Sequence, residues 1–209
     1  MGLKVRKPEG STDIEPVEAG VHQAICIRYY DLGTHHYEWQ NKEISAQKVL
    51  LMWEMPDERI EIDGKDLPRA LSKEYTRSLH KKAKLRGDLE SWRGKGFTDK
   101  ELEGFDLDNI LGKNCMLNIV HNQTEKATYA NIASVMPLMK NMAKKQPENQ
   151  IEYFSFDDSK VEIPENTPEW IVNKIQDSDE WEAFSNPNYE APPNNEKPPP
   201  PDEEDDIPF

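Results

Sequence analysis

Aromatic and cationic side chains in the first two thirds of the chain have the chemistry to bind a flexible polyanion. Such a surface needs cations that neutralise phosphates and flat rings on which bases stack, each stacked base contributing roughly 1–3 kcal/mol. The best candidates are rings with polar or charged neighbours and basic residues that cluster in the sequence. These are Tyr37, Trp39, Arg77, Lys81, Lys84, Trp92, Arg93, Lys95 and Tyr129.

Each of these residues also has an ordinary structural interpretation. A ring can fill the core or its rim, and a basic cluster can be a solvated helix face. Trp53 lies in an apolar run between Met52 and Met55, so we expect it in the core.

The last eight residues consist of five consecutive acids, residues 202–206, followed by Ile207, Pro208 and Phe209. The acids repel one another, while a terminal Phe with its carboxylate fits a basic-rimmed apolar pocket on another protein. We therefore predict a partner-binding tip made of Asp205, Asp206, Ile207, Pro208 and Phe209. A solvated acidic tail without a partner is the alternative.

The net charge of −14 is distributed unevenly along the chain. Residues 146–209 carry 3 basic and 18 acidic side chains, a net of −15, whereas residues 1–145 have a net of +1. Residues 69–100 carry 10 basic and 4 acidic side chains, a net of +6. The acidic total therefore does not argue against nucleic-acid binding by the body of the chain.

Alternating apolar residues predict a mainly β fold with about five strands, the number in a small Greek-key barrel. The predicted strands are 20–30, 46–55, 59–62, 113–120 and 127–135, with a turn at 31–34.

Helical signals interrupt this pattern between residues 63 and 112. Ser72 can cap a helix with an apolar stripe at Tyr75, Leu79 and Ala83, and Thr98 with Glu101 has the spacing of a capping box. A short capped turn at 106–111 follows, closed by Gly112.

Composition divides the chain into three parts. Residues 1–145 form the predicted binding domain with its helical insertion, and 146–185 a helical extension. Pro168 opens a helix there, with Trp170, Ile171 and Ile175 as its apolar stripe. Residues 186–209, a Pro-rich linker and the acidic tail, are predicted to be disordered.

Two groups of motifs are similar to known proteins. The tip resembles the C-terminal peptide of bacterial and phage single-stranded DNA-binding proteins. About a third of the chain looks like the phage-type OB-fold members of that family. The matching runs are Gly104-Phe105-Asp106-Leu107, Leu111-Gly112-Lys113, Tyr129-Ala130-Asn131-Ile132-Ala133-Ser134-Val135 and Pro168-Glu169-Trp170-Ile171.

The resemblance implies a five-stranded OB-fold barrel that coats and protects single-stranded DNA in replication, recombination or repair. It implies no catalysis, and the acidic tip would recruit partner proteins. The insertion at 63–112 departs from the ordinary bacterial protein, so the tetramer of that protein is not carried over and the oligomeric state stays open.

Other function classes have weaker support. The sequence has no phosphate-binding loop, dinucleotide fingerprint, nucleophile elbow or HExxH motif, so we expect neither an enzyme nor a cofactor. Cys26 and Cys115 lie far apart, which favours reduced, buried thiols over a metal site. A cytoplasmic location is expected, because no run of 18 apolar residues or secretory signal is present. Two alternatives remain: a strand-annealing mediator, or an acidic adaptor and DNA mimic that does not bind single-stranded DNA.

Overall fold

A computed structural model describes residues 15–39, 42–124, 127–186 and 188–189, and a six-stranded sheet is its main element. The strands are β1 (Gly20–Trp39), β2 (Lys42–Ile62), β3 (Lys65–Thr76), β4 (Asn114–Gln123), β5 (Thr128–Pro137) and β6 (Glu152–Phe154). The helices are α1 (Lys84–Arg93), α2 (Asp99–Glu103), α3 (Glu169–Gln176) and α4 (Asp179–Ser185), with a 3₁₀ turn at Leu107–Ile110. The mainly β class with added helices is therefore confirmed.

Most of the predicted linker and tail, including the whole tip from Asp205 to Phe209, lies outside the described residues. Within the described residues, no helix is both long enough and apolar enough to cross a membrane.

Strand β1 is shared between two parts of the sheet, whose order is β3-β2-β1-β4-β5. Residues 20–25 of β1 pair with β4, and residues 25–39 pair with β2, both antiparallel. A register shift between Cys26 and Arg28 lies just past this change of partner. An extra residue of this kind bends a strand and increases its twist. Short β6 adds a parallel pairing to β1.

The predicted turn at 31–34 is wrong, because β1 continues through these residues. A second register shift lies between Asp31 and Gly33, and the Asp31 carboxylate accepts a hydrogen bond from the Gly33 amide at 3.1 Å. Gly33 has a φ of 75°, so the turn chemistry in the sequence produces a bulge and not a reversal. Beyond it, residues 33–39 and 42–48 pair as a two-stranded extension, which we call the arm.

The helix predicted from Ser72 is also wrong, because Lys65–Thr76 is strand β3. Leu71, Lys73 and Tyr75 alternate with Ser72 and Glu74, and this period of two prevails because β3 pairs along β2. The predicted strand at 59–62 is the end of β2, after a register shift that begins at Met55. The helical part of the insertion starts only at Lys84.

Two further predictions in the insertion are confirmed. Thr98 and Glu101 form the capping box of α2, with the Glu101 amide 3.3 Å from the Thr98 hydroxyl oxygen. Asp106 caps the 3₁₀ turn, accepting from the Asp108 amide at 2.9 Å.

The inner face of the sheet packs against α1 and forms the larger core. Trp53 is fully buried there, as predicted, and so are Cys26 and Cys115. Burial raises the pKa of both thiols, so they stay protonated at neutral pH.

The outer face of β1 and β2 forms a second core with the C-terminal extension. Ile25, Tyr30 and Leu50 are buried there against β6, α3 and α4. The predicted stripe of α3 is confirmed at Ile171 and Ile175, which are buried, but is wrong at Trp170, which is 47% exposed. The extension therefore covers sheet surface that would otherwise be open.

Docking of α4 on the arm depends on the absence of a side chain at Gly33. A Cβ atom at this position would lie 2.6 Å from the Ser178 side chain and from a Glu180 carboxylate oxygen. We expect Gly33→Ala to lower the free energy of unfolding by roughly 1–2 kcal/mol for the left-handed backbone and roughly 1–3 kcal/mol more for the clash. Urea denaturation monitored by circular dichroism measures the change.

The matched control is Gly64→Ala, because Gly64 has a φ of 72° and nothing within 4 Å of an added Cβ. This variant should lose only the backbone contribution. Equal losses in the two variants would contradict tight packing of α4 against the arm.

Candidate nucleic-acid interface

The nine residues predicted from the sequence to bind nucleic acid do not line one groove. Three of them, Arg77, Lys81 and Lys84, lie in and just after the loop that follows β3. The Arg77 amide donates to the Gln47 carbonyl at 2.7 Å, which places this loop against the base of the arm that carries Tyr37 and Trp39. Trp92, Arg93 and Lys95 surround the end of α1. Tyr129 lies in the β4–β5 hairpin, beyond the opposite end of β1 from the arm.

Trp92 was predicted to stack on bases, but its ring is buried and not open for stacking. It is 8% exposed, its indole nitrogen donates to the Asn114 carbonyl at 3.0 Å, and its ring centroid lies 6.2 Å from that of Trp53. Leu85, Leu89 and Trp92 together form the buried stripe of α1. Trp92 thus attaches α1 to the core.

Arg93 is likewise held by its own protein. Its guanidinium pairs with Glu101 and lies over the rings of Phe97 and Phe105, at 4.4 and 5.1 Å from the centroids. A cation in this arrangement has little capacity left for a phosphate. The neighbouring Lys95 is exposed.

The cations near the arm are mostly neutralised by carboxylates. Arg77 pairs with Asp31 at 2.6 Å and with Asp157 at 2.8 Å. Lys48 lies 5.4 Å from the centroid of the Tyr37 ring and 4.0 Å from a Glu74 oxygen. The predicted cluster of basic residues is therefore interrupted at Arg77 by acids that would repel phosphates.

The remaining predicted residues near the arm are only partly characterised by the structure. Lys81 is exposed and Lys84 is half-buried. The Trp39 side chain lies outside what the structure describes.

Tyr129 belongs to an uncharged surface on the outer side of β1, β4 and β5, which we call the neutral face. Val21 pairs with Asn118, Asn118 with Ser134, and Asn122 with Tyr129. Directly opposed residues share a face of the sheet, as do alternate residues along a strand. The neutral face comprises Val21, Asn118, Val120, Asn122, Tyr129, Asn131 and Ser134.

The neutral face exposes large side chains although it carries no charged residue. Tyr129 is 52% exposed, Val21 50% and Val120 40%. None of the seven residues is charged, in a chain in which 32% of residues are. An exposed sheet surface of amides, a ring and β-branched residues can contact both the faces and the edges of planar bases.

The opposite side of the same strands fixes which residues point outward. Leu117, Ile119, Ile132 and Val135 are all buried in the inner core. A register shift next to Asn118 places Ala133 as an extra residue in β5, so the alternation is preserved on both sides of it. Slipping the hairpin by one residue would bury Tyr129 and expose the isoleucines.

A loop carrying lysines borders the neutral face. The Gln23 amide group, on the same face as Val21, donates to the Ala143 carbonyl at 2.9 Å and to the Asn114 side chain at 3.0 Å. Asn114 in turn donates to the Lys145 carbonyl at 3.0 Å and accepts from the Lys145 amide at 2.9 Å. These bonds fix residues 138–145, which we call the lysine loop, against the sheet.

The lysine loop provides exposed cations beside the neutral face. Lys140 and Lys144 are exposed, and neither has a carboxylate partner among the described residues. Lys145 pairs with Asp57. These lysines were not among the binding residues predicted from the sequence, although residues 127–147 contain three lysines and no acid.

Among the residues that the structure describes, no group of three or more His, Cys, Asp or Glu is arranged to hold a metal ion. A scan of the chain against models of known protein families and a search of curated proteins both found no match. Function is therefore inferred from the residues of this chain.

Proposed function

We propose that this protein binds single-stranded DNA along the neutral face and the lysine loop, without catalysis and with little sequence preference. The observation that carries the proposal is the half-exposed Tyr129 on an uncharged sheet surface that leads to the exposed Lys140 and Lys144. Bases stack on the ring, asparagine amides meet base edges, and the lysines neutralise phosphates. Stacking is tolerant of sequence, because every base has a flat face.

The order of the strands supports an OB-fold barrel as the framework. Five antiparallel strands in the order β3-β2-β1-β4-β5, with α1 between β3 and β4, match the connectivity expected of that fold. The Lys73 ammonium on β3 lies 3.5 Å from the Ala133 carbonyl on β5, so the two edge strands approach each other. We propose that this approach completes the barrel.

The C-terminal extension explains why DNA would use β4 and β5. OB folds commonly bind ligands on the outer face of strands 2 and 3 and on the flanking loops. Here Leu50 and Met52 on that side of β2 are buried in the second core, and Lys174 of α3 pairs with Glu74 of β3. The neutral face is a part of the outer surface that stays open, as the exposure of Val21 and Tyr129 indicates.

In this proposal the protein coats and protects single-stranded DNA during replication, recombination or repair. The tip from Asp205 to Phe209 would recruit partner proteins, since it joins acidic residues to apolar ones. The tip bears no basic residue, so it leaves phosphate binding to the body of the chain.

Titration of fluorescein-labelled oligo-dT with the full chain, followed by anisotropy at two salt concentrations, tests the proposed function. We expect saturable binding that weakens with salt, with a slope of log K against log salt of about −0.7 for each neutralised phosphate. Duplex DNA of equal length is the control and should bind more weakly, because its bases are already stacked.

Absence of binding to oligo-dT in dilute buffer would overturn the proposal and favour the adaptor or DNA mimic. Accelerated pairing of complementary strands, measured by energy transfer, would instead identify the annealing mediator.

A further inference from the structure

A second surface of the molecule is a cleft with an apolar floor and acidic walls, in contrast to the cationic lysine loop. A cleft of about 570 Å³ opens between the segment 102–108 and the segment 153–158. Its floor contains Val49, Leu79, Leu85, Leu89 and Leu107. Leu102 and Tyr153 on its walls are 36% and 39% exposed, which is high for side chains of this kind.

Carboxylates line both walls of this cleft. Glu103, Asp106 and Asp108 lie on one wall, and Asp157 and Asp158 on the other. Asp31 completes six acids, and Arg77 is the one cation among the described residues that line the cleft. Since Arg77 already pairs with Asp31 and Asp157, the remaining charge is strongly negative.

These charges determine what can enter the cleft. A phosphate backbone or the chain's own acidic tip would be repelled, and an uncharged apolar ligand would leave the carboxylates without partners. A small cation such as a polyamine would pair with the walls but leave much of the apolar floor in contact with water. A peptide that alternates cationic and apolar side chains satisfies both parts.

One wall is also suited to arginine. The rings of Tyr29 and Tyr153 stack with centroids 5.1 Å apart and planes 22° apart, and the Tyr29 hydroxyl is fixed by a 2.6 Å bond to Asp108. Tyr153 is thus held with part of its surface exposed. A planar guanidinium stacks on such a ring while bonding to a neighbouring carboxylate.

We propose that this acidic cleft is a docking site for a partner protein, which inserts a segment with an apolar side chain flanked by Lys or Arg. The cleft shares no residue with the neutral face or the lysine loop. DNA and the partner can therefore be bound together, and the proposal does not depend on the proposed function.

The test uses the full chain and a labelled probe peptide of sequence Lys-Leu-Arg-Leu-Arg-Lys, followed by fluorescence anisotropy. We expect Glu103→Gln combined with Asp158→Asn, one exposed carboxylate from each wall, to weaken binding about tenfold. Glu61→Gln combined with Asp63→Asn removes two exposed carboxylates at the β2–β3 turn and should leave affinity unchanged. The acidic tail is present in every variant, so its own attraction for the peptide cancels.

A second probe separates docking from simple charge attraction. Lys-Ser-Arg-Ser-Arg-Lys keeps the charges without the apolar side chains, and it should bind at least about fivefold more weakly, since two leucines lose their buried surface. Equal binding of both peptides, or equal losses in both double variants, would overturn the proposal, as would spermidine displacing the peptide at equal concentration. The peptide and the oligo-dT are titrated separately, because a cationic peptide binds oligo-dT directly. Failure at this cleft and failure of DNA binding are therefore distinguishable.

Discussion

The Tyr129→Ala variant is expected to bind oligo-dT about 5- to 150-fold more weakly than the wild-type chain. A base stacked on an aromatic side chain contributes roughly 1–3 kcal/mol, and Tyr129 is the aromatic ring of the neutral face. Its ring is 52% exposed, so its removal leaves no cavity in the core. Anisotropy titrations at constant salt measure the affinity, and urea denaturation checks that stability is retained.

Two control variants test whether the loss of affinity comes from stacking on the Tyr129 ring. Tyr129→Phe keeps the ring and should retain nearly all the affinity, because stacking does not need the hydroxyl. Trp170→Ala removes a ring that is 47% exposed on α3, away from the neutral face, and should change nothing. If Trp170→Ala weakened binding while Tyr129→Ala did not, the DNA would lie on the C-terminal extension.

The period of the apolar residues was sufficient to predict most of the sheet. Strands β1, β4 and β5 follow the alternation seen in the sequence, and burial of Trp53 follows from its apolar neighbours. The capping box of α2 was also predictable from the sequence, because Thr98 and Glu101 are only three residues apart. Such features depend on residues close together in the chain, so sequence alone predicts them.

Overlapping signals in the sequence explain two wrong predictions, the helix from Ser72 and the exposed Trp92 ring. The spacing of Tyr75, Leu79 and Ala83 is typical of a helix. Leu71, Lys73 and Tyr75 also alternate as in a strand, and the strand forms because it pairs with β2. Around Trp92, its neighbours Arg93 and Lys95 suggested exposure. The spacing of Leu85, Leu89 and Trp92 was the better signal, since it forms the buried stripe of α1.

The candidate site was harder to predict, because its chemistry depends on contacts between distant residues. The charge of Arg77 is neutralised by Asp31 and Asp157, which lie 46 and 80 residues away in the chain. The lysine loop is fixed by Gln23, at a separation of 120 residues from Ala143. Tyr129 was predicted only as one of several rings on the strands, and the loop beside it depends on tertiary hydrogen bonds.

Replacing Lys140 and Lys144 together by Gln is expected to reduce the salt dependence of DNA binding. Each phosphate neutralised on a single strand contributes about 0.7 to the slope of log K against log salt, so two lysines should lower its magnitude by about 1.4. Affinity should fall in dilute buffer and approach that of the wild-type chain as salt rises. Both side chains are exposed and unpaired among the described residues, so the fold should not change.

The matched control replaces Lys65 and Lys100 by Gln, which removes the same charge from exposed positions at the start of β3 and on α2. Its slope should equal that of the wild-type chain, since neither residue borders the neutral face. Lys81→Gln with Lys82→Gln tests the loop after β3 directly. If that pair lowered the slope while Lys140 and Lys144 did not, the phosphates would run past the arm, and the carboxylates that pair with Arg77 would have to separate from it when DNA binds.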